Sequence, residues 1–167
     1  FNIILRFATL DATSLPMVIT ETGYNTDLNN GSSGDDQTVQ AKYTLDNLMD
    51  AYKDGVATTY LYELLDDVAD PGNTNAQYHY GLFNADGTPK LAATAIHNLT
   101  AILNDPGASS SFTPGTLNYS VSNLTAPYGN QLLLQKSNGA FDLVLWGEPK
   151  IYNPSTDTEI AAPNDTV

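Results

Sequence analysis

Leu15-Pro16-Met17-Val18-Ile19-Thr20-Glu21 is a nearly unbroken apolar run that ends on a carboxylate. A run of this kind reads as a strand buried on both faces that meets solvent only at its carboxyl end, the pattern of a parallel sheet covered by helices. Glu21 stands at that end. Downstream, the polar loop Asn29-Asn30-Gly31-Ser32-Ser33-Gly34 leads to Asp35 or Asp36, either of which can cap a helix. The apolar positions Val39, Tyr43, Leu48, Met49 and Tyr52 recur there at three and four residues, and Gly55 closes the helix. Val56-Ala57-Thr58-Thr59-Tyr60-Leu61-Tyr62-Glu63 reads as a second buried strand, β-branched and aromatic, with another glutamate at its far end. A further helix is expected from Thr88 as N-cap and Pro89 as first residue, with Leu91, Ala95, Leu99, Ile102 and Leu103 on one side, stopping by Pro106. Strand, helix, strand, helix is the unit of a parallel α/β sheet, in which functional groups gather at the carboxyl ends of strands.

From about residue 112 the pattern becomes strand-like. Gly115-Thr116-Leu117-Asn118-Tyr119-Ser120-Val121 reads as one strand. Gln131 to Lys136 and Phe141 to Trp146 read as a hairpin around Asn138-Gly139, a dipeptide suited to the positive φ angles of a tight primed turn. Trp146, among alternating apolar neighbours, is expected in the core of this β-domain. Asn104-Asp105-Pro106-Gly107-Ala108-Ser109-Ser110-Ser111 has the composition of a boundary, giving two units, 1–106 and 112–167. The opening Phe1-Asn2-Ile3-Ile4-Leu5 reads as the inside of an element, so the chain is expected to be incomplete.

Nineteen acidic residues against six basic ones give a formal charge of -13. That charge repels phosphate backbones and anionic lipid head groups, disfavouring nucleic-acid and membrane-surface roles. Four of the nineteen acids are glutamates (Glu21, Glu63, Glu148 and Glu159), so a glutamate at a strand end stands out from the loop aspartates. There is no cysteine, hence no disulfide framework and no thiolate chemistry. Two histidines, His79 and His97, make a poor zinc set, and His97, mid-helix beside Ile96, is expected to be partly buried. Asp35-Asp36 and Asp66-Asp67-Asp70 lack EF-hand spacing, and Gly31 and Gly34 lack the lysine of a phosphate loop. No metal and no cofactor is expected.

Met17-Val18-Ile19-Thr20-Glu21-Thr22-Gly23-Tyr24 resembles the seventh-strand motif of retaining (β/α)8-barrel glycoside hydrolases, the clan of cellulases, β-glucosidases and β-xylosidases. Thr59-Tyr60-Leu61-Tyr62-Glu63-Leu64, followed by Tyr80-Gly81-Leu82-Phe83-Asn84-Ala85-Asp86-Gly87-Thr88-Pro89-Lys90, is similar to that clan's eighth strand, its long loop and the lead into the eighth helix. Leu132-Leu133-Leu134-Gln135-Lys136-Ser137 with Leu143-Val144-Leu145-Trp146 is similar to strands of the β-sandwich that follows the barrel in several bacterial members. The resemblance implies the last two strands and helices of a (β/α)8 barrel over 1–106 and an antiparallel β-sandwich-like domain over 112–167. It implies Glu21 as nucleophile, a β-linked oligosaccharide as substrate and a secreted or periplasmic bacterial protein. It also implies that the fourth-strand glutamate serving the clan as acid/base lies outside this chain, and that exposed barrel edges drive self-association into homo-oligomers.

A retaining reaction needs a second carboxylate about 5 to 5.5 Å from the nucleophile. Glu63 is the in-chain candidate, its other reading being a ligand for a sugar hydroxyl or a loop amide. Tyr24, Tyr62, Tyr78, His79 and Tyr80 either line a sugar subsite, aromatic faces stacking on pyranose rings, or pack loops. Glu148, between Gly147 and Pro149, reads as a turn residue.

Overall fold

The computed structural model describes residues 15–28, 34–124, 129–162 and 166–167. The opening Phe1-Asn2-Ile3-Ile4-Leu5 and most of the polar loop, Asn29-Asn30-Gly31-Ser32-Ser33, lie outside them. The elements in order are β1 (Met17–Thr22), α1 (Gln37–Lys53), β2 (Val56–Leu61), a 3-10 turn (Ala76–His79), α2 (Leu91–Leu103), β3 (Gly129–Gln135), β4 (Phe141–Gly147), β5 (Tyr152–Asn153) and β6 (Thr158–Glu159).

β1 and β2 pair in parallel, with Val18 opposite Thr58 and Ile19 opposite Thr59. α1 makes the connection between them and packs on α2 and β2. Asp36 is the residue that caps α1, its Oδ1 accepting from Val39 N at 2.8 Å, and Gly55 leaves the helix at φ 79°. The buried stripe of α1 keeps Val39 and Met49 of the apolar positions read from the sequence but is otherwise largely polar. Tyr52 is exposed, whereas Gln40, Thr44, Asn47 and Ala51, spaced at four, three and four, are buried. Gln40 tolerates that position by satisfying backbone carbonyls that would otherwise be orphaned, and Asn47 by bonding a side chain of β1. Gln40 Nε2 donates to Tyr24 O at 2.9 Å and Asn47 Nδ2 to Thr22 Oγ1 at 3.4 Å. The helix therefore holds the chain just beyond β1.

α2 begins at Leu91, two residues later than the Thr88-Pro89 reading. Thr88 is engaged in the preceding turn, donating from N and Oγ1 to Asp86 Oδ1 at 2.9 and 2.6 Å, and Pro89 bridges Phe83. Lys90 takes the N-cap position without a side-chain cap bond, since an ammonium has no acceptor to offer the helix N–H groups, and its donors are committed elsewhere. Leu91 and Ile102, expected on the buried side, are exposed, and so is His97, expected to be partly buried.

The expected partial barrel and β-sandwich are corrected by this structure. The described residues form two helices and three separate two-stranded sheets. A barrel requires strands tilted and staggered around a closed ring. Among the described residues β1 and β2 have no third strand on either edge, so nothing curves the pair towards closure. A sandwich requires two sheets packed face to face. Residues 115–121 pair with no strand among the described residues, Gly115 N donating instead to the Gln135 side chain at 2.6 Å, and β3–β4 and β5–β6 are each anchored on α1. Trp146, expected in a β-domain core, instead reaches α1, its Nε1 donating to Asp50 Oδ1 at 3.0 Å while Lys53 Nζ lies 5.4 Å from the ring centroid. Tyr152 and Ile151 bury themselves against Val39, with Leu28 and Tyr43 alongside, and Lys42 pairs with Glu159 at 2.7 Å.

The turn between β3 and β4 also differs from its reading. Gly139 has φ 91°, but Asn138 is not in the left-handed region. Lys136 N donates to Ala140 O at 2.8 Å and Gly139 N to Lys136 O at 2.9 Å, the bonds of a three-residue connection with glycine at the bulge. Asn138 contributes through its side chain, Oδ1 accepting from Ala140 N at 3.0 Å. Among the described residues no helix is long and apolar enough to cross a membrane.

Candidate functional site

β1 ends by delivering Glu21 to solvent, and the backbone immediately beyond it is locked in place. Tyr62 N donates to Thr22 O at 2.7 Å, extending the β1–β2 ladder past both strand ends. Gly23 lies so close to Tyr62 that a Cβ there would fall 1.9 Å from the Tyr62 carbonyl oxygen, so only glycine permits this approach. The Tyr62–Glu63 peptide is cis. Beyond it Glu63 N donates to Tyr80 O at 3.2 Å, which draws the end of the 3-10 turn alongside.

These contacts enclose a small cleft of about 250 Å³, lined by Glu21, Thr22, Gly23, Tyr62, Gln77 and Tyr80. The rings of Tyr62 and Tyr80 meet edge to face, centroids 5.4 Å apart at 68°, and form one wall. Neighbouring negative charge keeps the Tyr62 hydroxyl protonated. Its pKa is raised by Glu63 foremost, then by burial, Asp67, Glu21 and Tyr80. The cleft thus presents one carboxylate, two phenols and the Gln77 amide: acceptors, donors and an aromatic face around a space of single-ring size.

Glu63 sits two residues past β2, half-buried, and is not among the residues lining this cleft. Its Oε1 is buried without a hydrogen-bond partner. Burial raises its pKa, Asp67 and Asp66 adding to the effect and Lys90 opposing it.

The remaining aromatic and imidazole candidates are dispersed. Tyr24 lies in a second cavity with Tyr43, Asp46, Asn47, Asp50 and Glu148. His79 is 8% exposed, its Nε2 3.2 Å from Asp70 Oδ2, and faces a third cavity that Asp36, Asp66 and Asp86 also line. Tyr78 is half-buried on the 3-10 turn and lines none of the three.

Next to the third cavity lies a buried ion pair absent from the sequence reading. Lys90, 1% exposed, donates to Asp66 Oδ1 at 2.7 Å, to His79 O at 3.1 Å and to Thr26 Oγ1 at 3.2 Å. Asp66 Oδ1 also accepts from Gly81 N at 2.8 Å. One ammonium thereby ties the loop after β1, the loop after β2 and the 3-10 turn together. Gln77 was also missed. Its signal was positional, since it lies on the same short turn as Tyr78 and His79, whose aromatic and imidazole character drew the attention instead.

A scan against protein-family models finds no match for this chain, and neither does a search of curated proteins.

Proposed function

We propose that this chain carries the nucleophile of a retaining glycoside hydrolase that acts on, or binds, β-linked oligosaccharides. The observation supporting this is the placement of Glu21: an exposed carboxylate at the carboxyl end of a parallel strand, opening into a cleft walled by Tyr62 and Tyr80 and reached by Gln77. In this reading Glu21 attacks the anomeric carbon and forms a glycosyl ester. The leaving oxygen departs with a proton from a second carboxyl group, and water then releases the sugar with that group as base. Tyr62 and Tyr80 offer the apolar face of the ring a surface, and the Gln77 amide a hydroxyl partner.

Among the described residues Glu21 is the one carboxylate lining the cleft. That observation favours a second reading in which the chain holds an oligosaccharide without cleaving it. Glu63, its carboxyl kept towards the protonated form by burial, is the in-chain acid candidate of the first reading. Substrates whose leaving groups depart without a proton separate the two. With 2,4-dinitrophenyl β-glycosides the hydrolase reading expects dinitrophenolate release that vanishes in Glu21→Gln. The binding reading expects saturable oligosaccharide binding with no release in either protein.

Self-association is part of the proposal. Both strands of the β1–β2 pair have an open edge among the described residues, and Val18 and Tyr60 on it are 43% and 59% exposed. The mass in solution tests this, a dimer or larger being expected.

A further inference from the structure

The cavity that contains Tyr24 is separate from the Glu21 cleft and has a different chemical character. It occupies about 440 Å³ between α1 and the residues after β4. α1 contributes Tyr43, Asp46, Asn47 and Asp50, the loop after β1 contributes Tyr24, and the chain after β4 contributes Glu148, with Lys150 also at the wall. The rings of Tyr24 and Tyr43 are tilted against each other at 42°, centroids 5.3 Å apart.

Hydrogen-bond capacity in this cavity is one-sided. Three carboxylates accept and cannot donate when ionised. Asn47 is 4% exposed and its Oδ1 has no hydrogen-bond partner, while its Nδ2 is turned to Thr22. Three of the nearby donors are already committed. Trp146 Nε1 is bonded to Asp50, Lys53 Nζ to Asn130 Oδ1 at 2.6 Å, and Asn130 Nδ2 to Glu148. Among the described residues Lys150 forms no ion pair. The cavity is therefore richer in acceptors and negative charge than in donors, which are the exposed Lys150 ammonium and the two tyrosine hydroxyls, and it is faced by two aromatic rings.

We propose that this cavity binds a small organic ammonium compound, a protonated diamine or amino sugar, between the carboxylates of Asp46, Asp50 and Glu148, the Asn47 carbonyl and the tyrosine rings. An ammonium group brings three donors and no acceptor, and its charge is attracted by aromatic faces as well as by carboxylates. Among the described residues the acidic and imidazole groups do not converge into a set that could hold a metal ion, so the separated acceptors suit a ligand with spread-out donors. Uncompensated charge supports the same conclusion. The Asp46 carboxyl is pushed up to about 7 by burial, by Glu148 and by Asp50, and burial with Asp50 raises that of Glu148 despite Lys53. A bound cation would favour the ionised form and expel the proton. The proposal is independent of the glycosidase reading.

Calorimetric titration of the full chain at pH 8 and fixed ionic strength, with putrescine and separately with glucosamine, tests it. Saturable one-to-one binding is expected, weakened tenfold or more by Asp46→Asn and by Glu148→Gln and unchanged by Asp86→Asn, which alters net charge equally at a turn outside this cavity. At pH 7 the heat should depend on the buffer's ionisation enthalpy in the sense of proton release. Tighter binding of one amine identifies the source of the ammonium group. Absence of saturable binding by both amines, or equal weakening by Asp86→Asn, would overturn the proposal.

Discussion

Two of the carboxylate-bearing hollows, the cleft at the end of β1 and the cavity beside α1, treat their acids in opposite ways. At the end of β1, Glu21 is exposed, with aromatic walls and an amide beside it. Between α1 and the end of β4, Asp46 is half-buried and faces Asp50 and Glu148. Glu21 lies one residue before the end of β1, a strand exposed along much of its length, so its side chain reaches solvent. A seam between a helix and a hairpin removes water and forces like charges together. Both belong to the same fold, so the difference is one of which element delivers the group. The first hollow leaves its carboxylate open to solvent. The second stores unrelieved negative charge.

The largest expected effect separates chemistry from stability. Glu21→Gln should lower turnover of a dinitrophenyl β-glycoside by at least about 10³-fold, a typical scale for loss of a group that stabilises or attacks in the transition state. Thermal unfolding should show Tm essentially unchanged, since Glu21 is exposed and holds nothing in place. Lys90→Met should act the other way. Leaving Asp66 buried without its cation costs about 3–5 kcal/mol, readable as a lower denaturant midpoint. Gly23→Ala attacks the cleft from the backbone. A methyl 1.9 Å from the Tyr62 carbonyl oxygen forces the strand ends apart, at about 1–3 kcal/mol by the cost of overpacking, and activity should fall with it.

The smallest expected effect belongs to the second hollow. The folded-state pKa of Asp46 is raised from 3.8 to about 7, so between those values the folded state binds more protons than the unfolded. The contribution of this group to stability is accordingly complete below about pH 4 and is lost as pH rises through about 7. Asp46→Asn removes the charge and should raise Tm by about 3 °C at pH 8 after allowance for solvent screening, with little change at pH 4. Equal shifts at both pH values would show that the effect is packing and not charge.

What the sequence conveyed follows the range over which each signal acts. The strand ending at Glu21, the cap at Asp36, the exit at Gly55 and the hairpin about Gly139 are each decided within a few residues, and each could be read. Assembly into larger architecture could not. A strand such as β1 looks the same whether it belongs to a closed ring or to a pair, because neighbouring strands are what distinguish them. The segment 115–121 has strand composition but no partner strand among the described residues, and composition alone does not supply a ladder. The polar stripe Gln40, Thr44 and Asn47 was hidden for a related reason. Periodicity of apolar residues assumes that the buried side of a helix is apolar, and here that side serves the backbone around Tyr24 and Thr22. The Lys90–Asp66 pair spans 24 residues and joins three loops, a relation that only the folded chain makes visible.

The most direct test of the central claim is covalent trapping. Incubation with an activated 2-deoxy-2-fluoro-β-glycoside, followed by intact mass and peptide mapping, should show one added glycosyl unit carried by the peptide that contains Glu21, and none in Glu21→Gln. An unmodified chain, or label on another residue, would contradict the assignment of Glu21 as nucleophile.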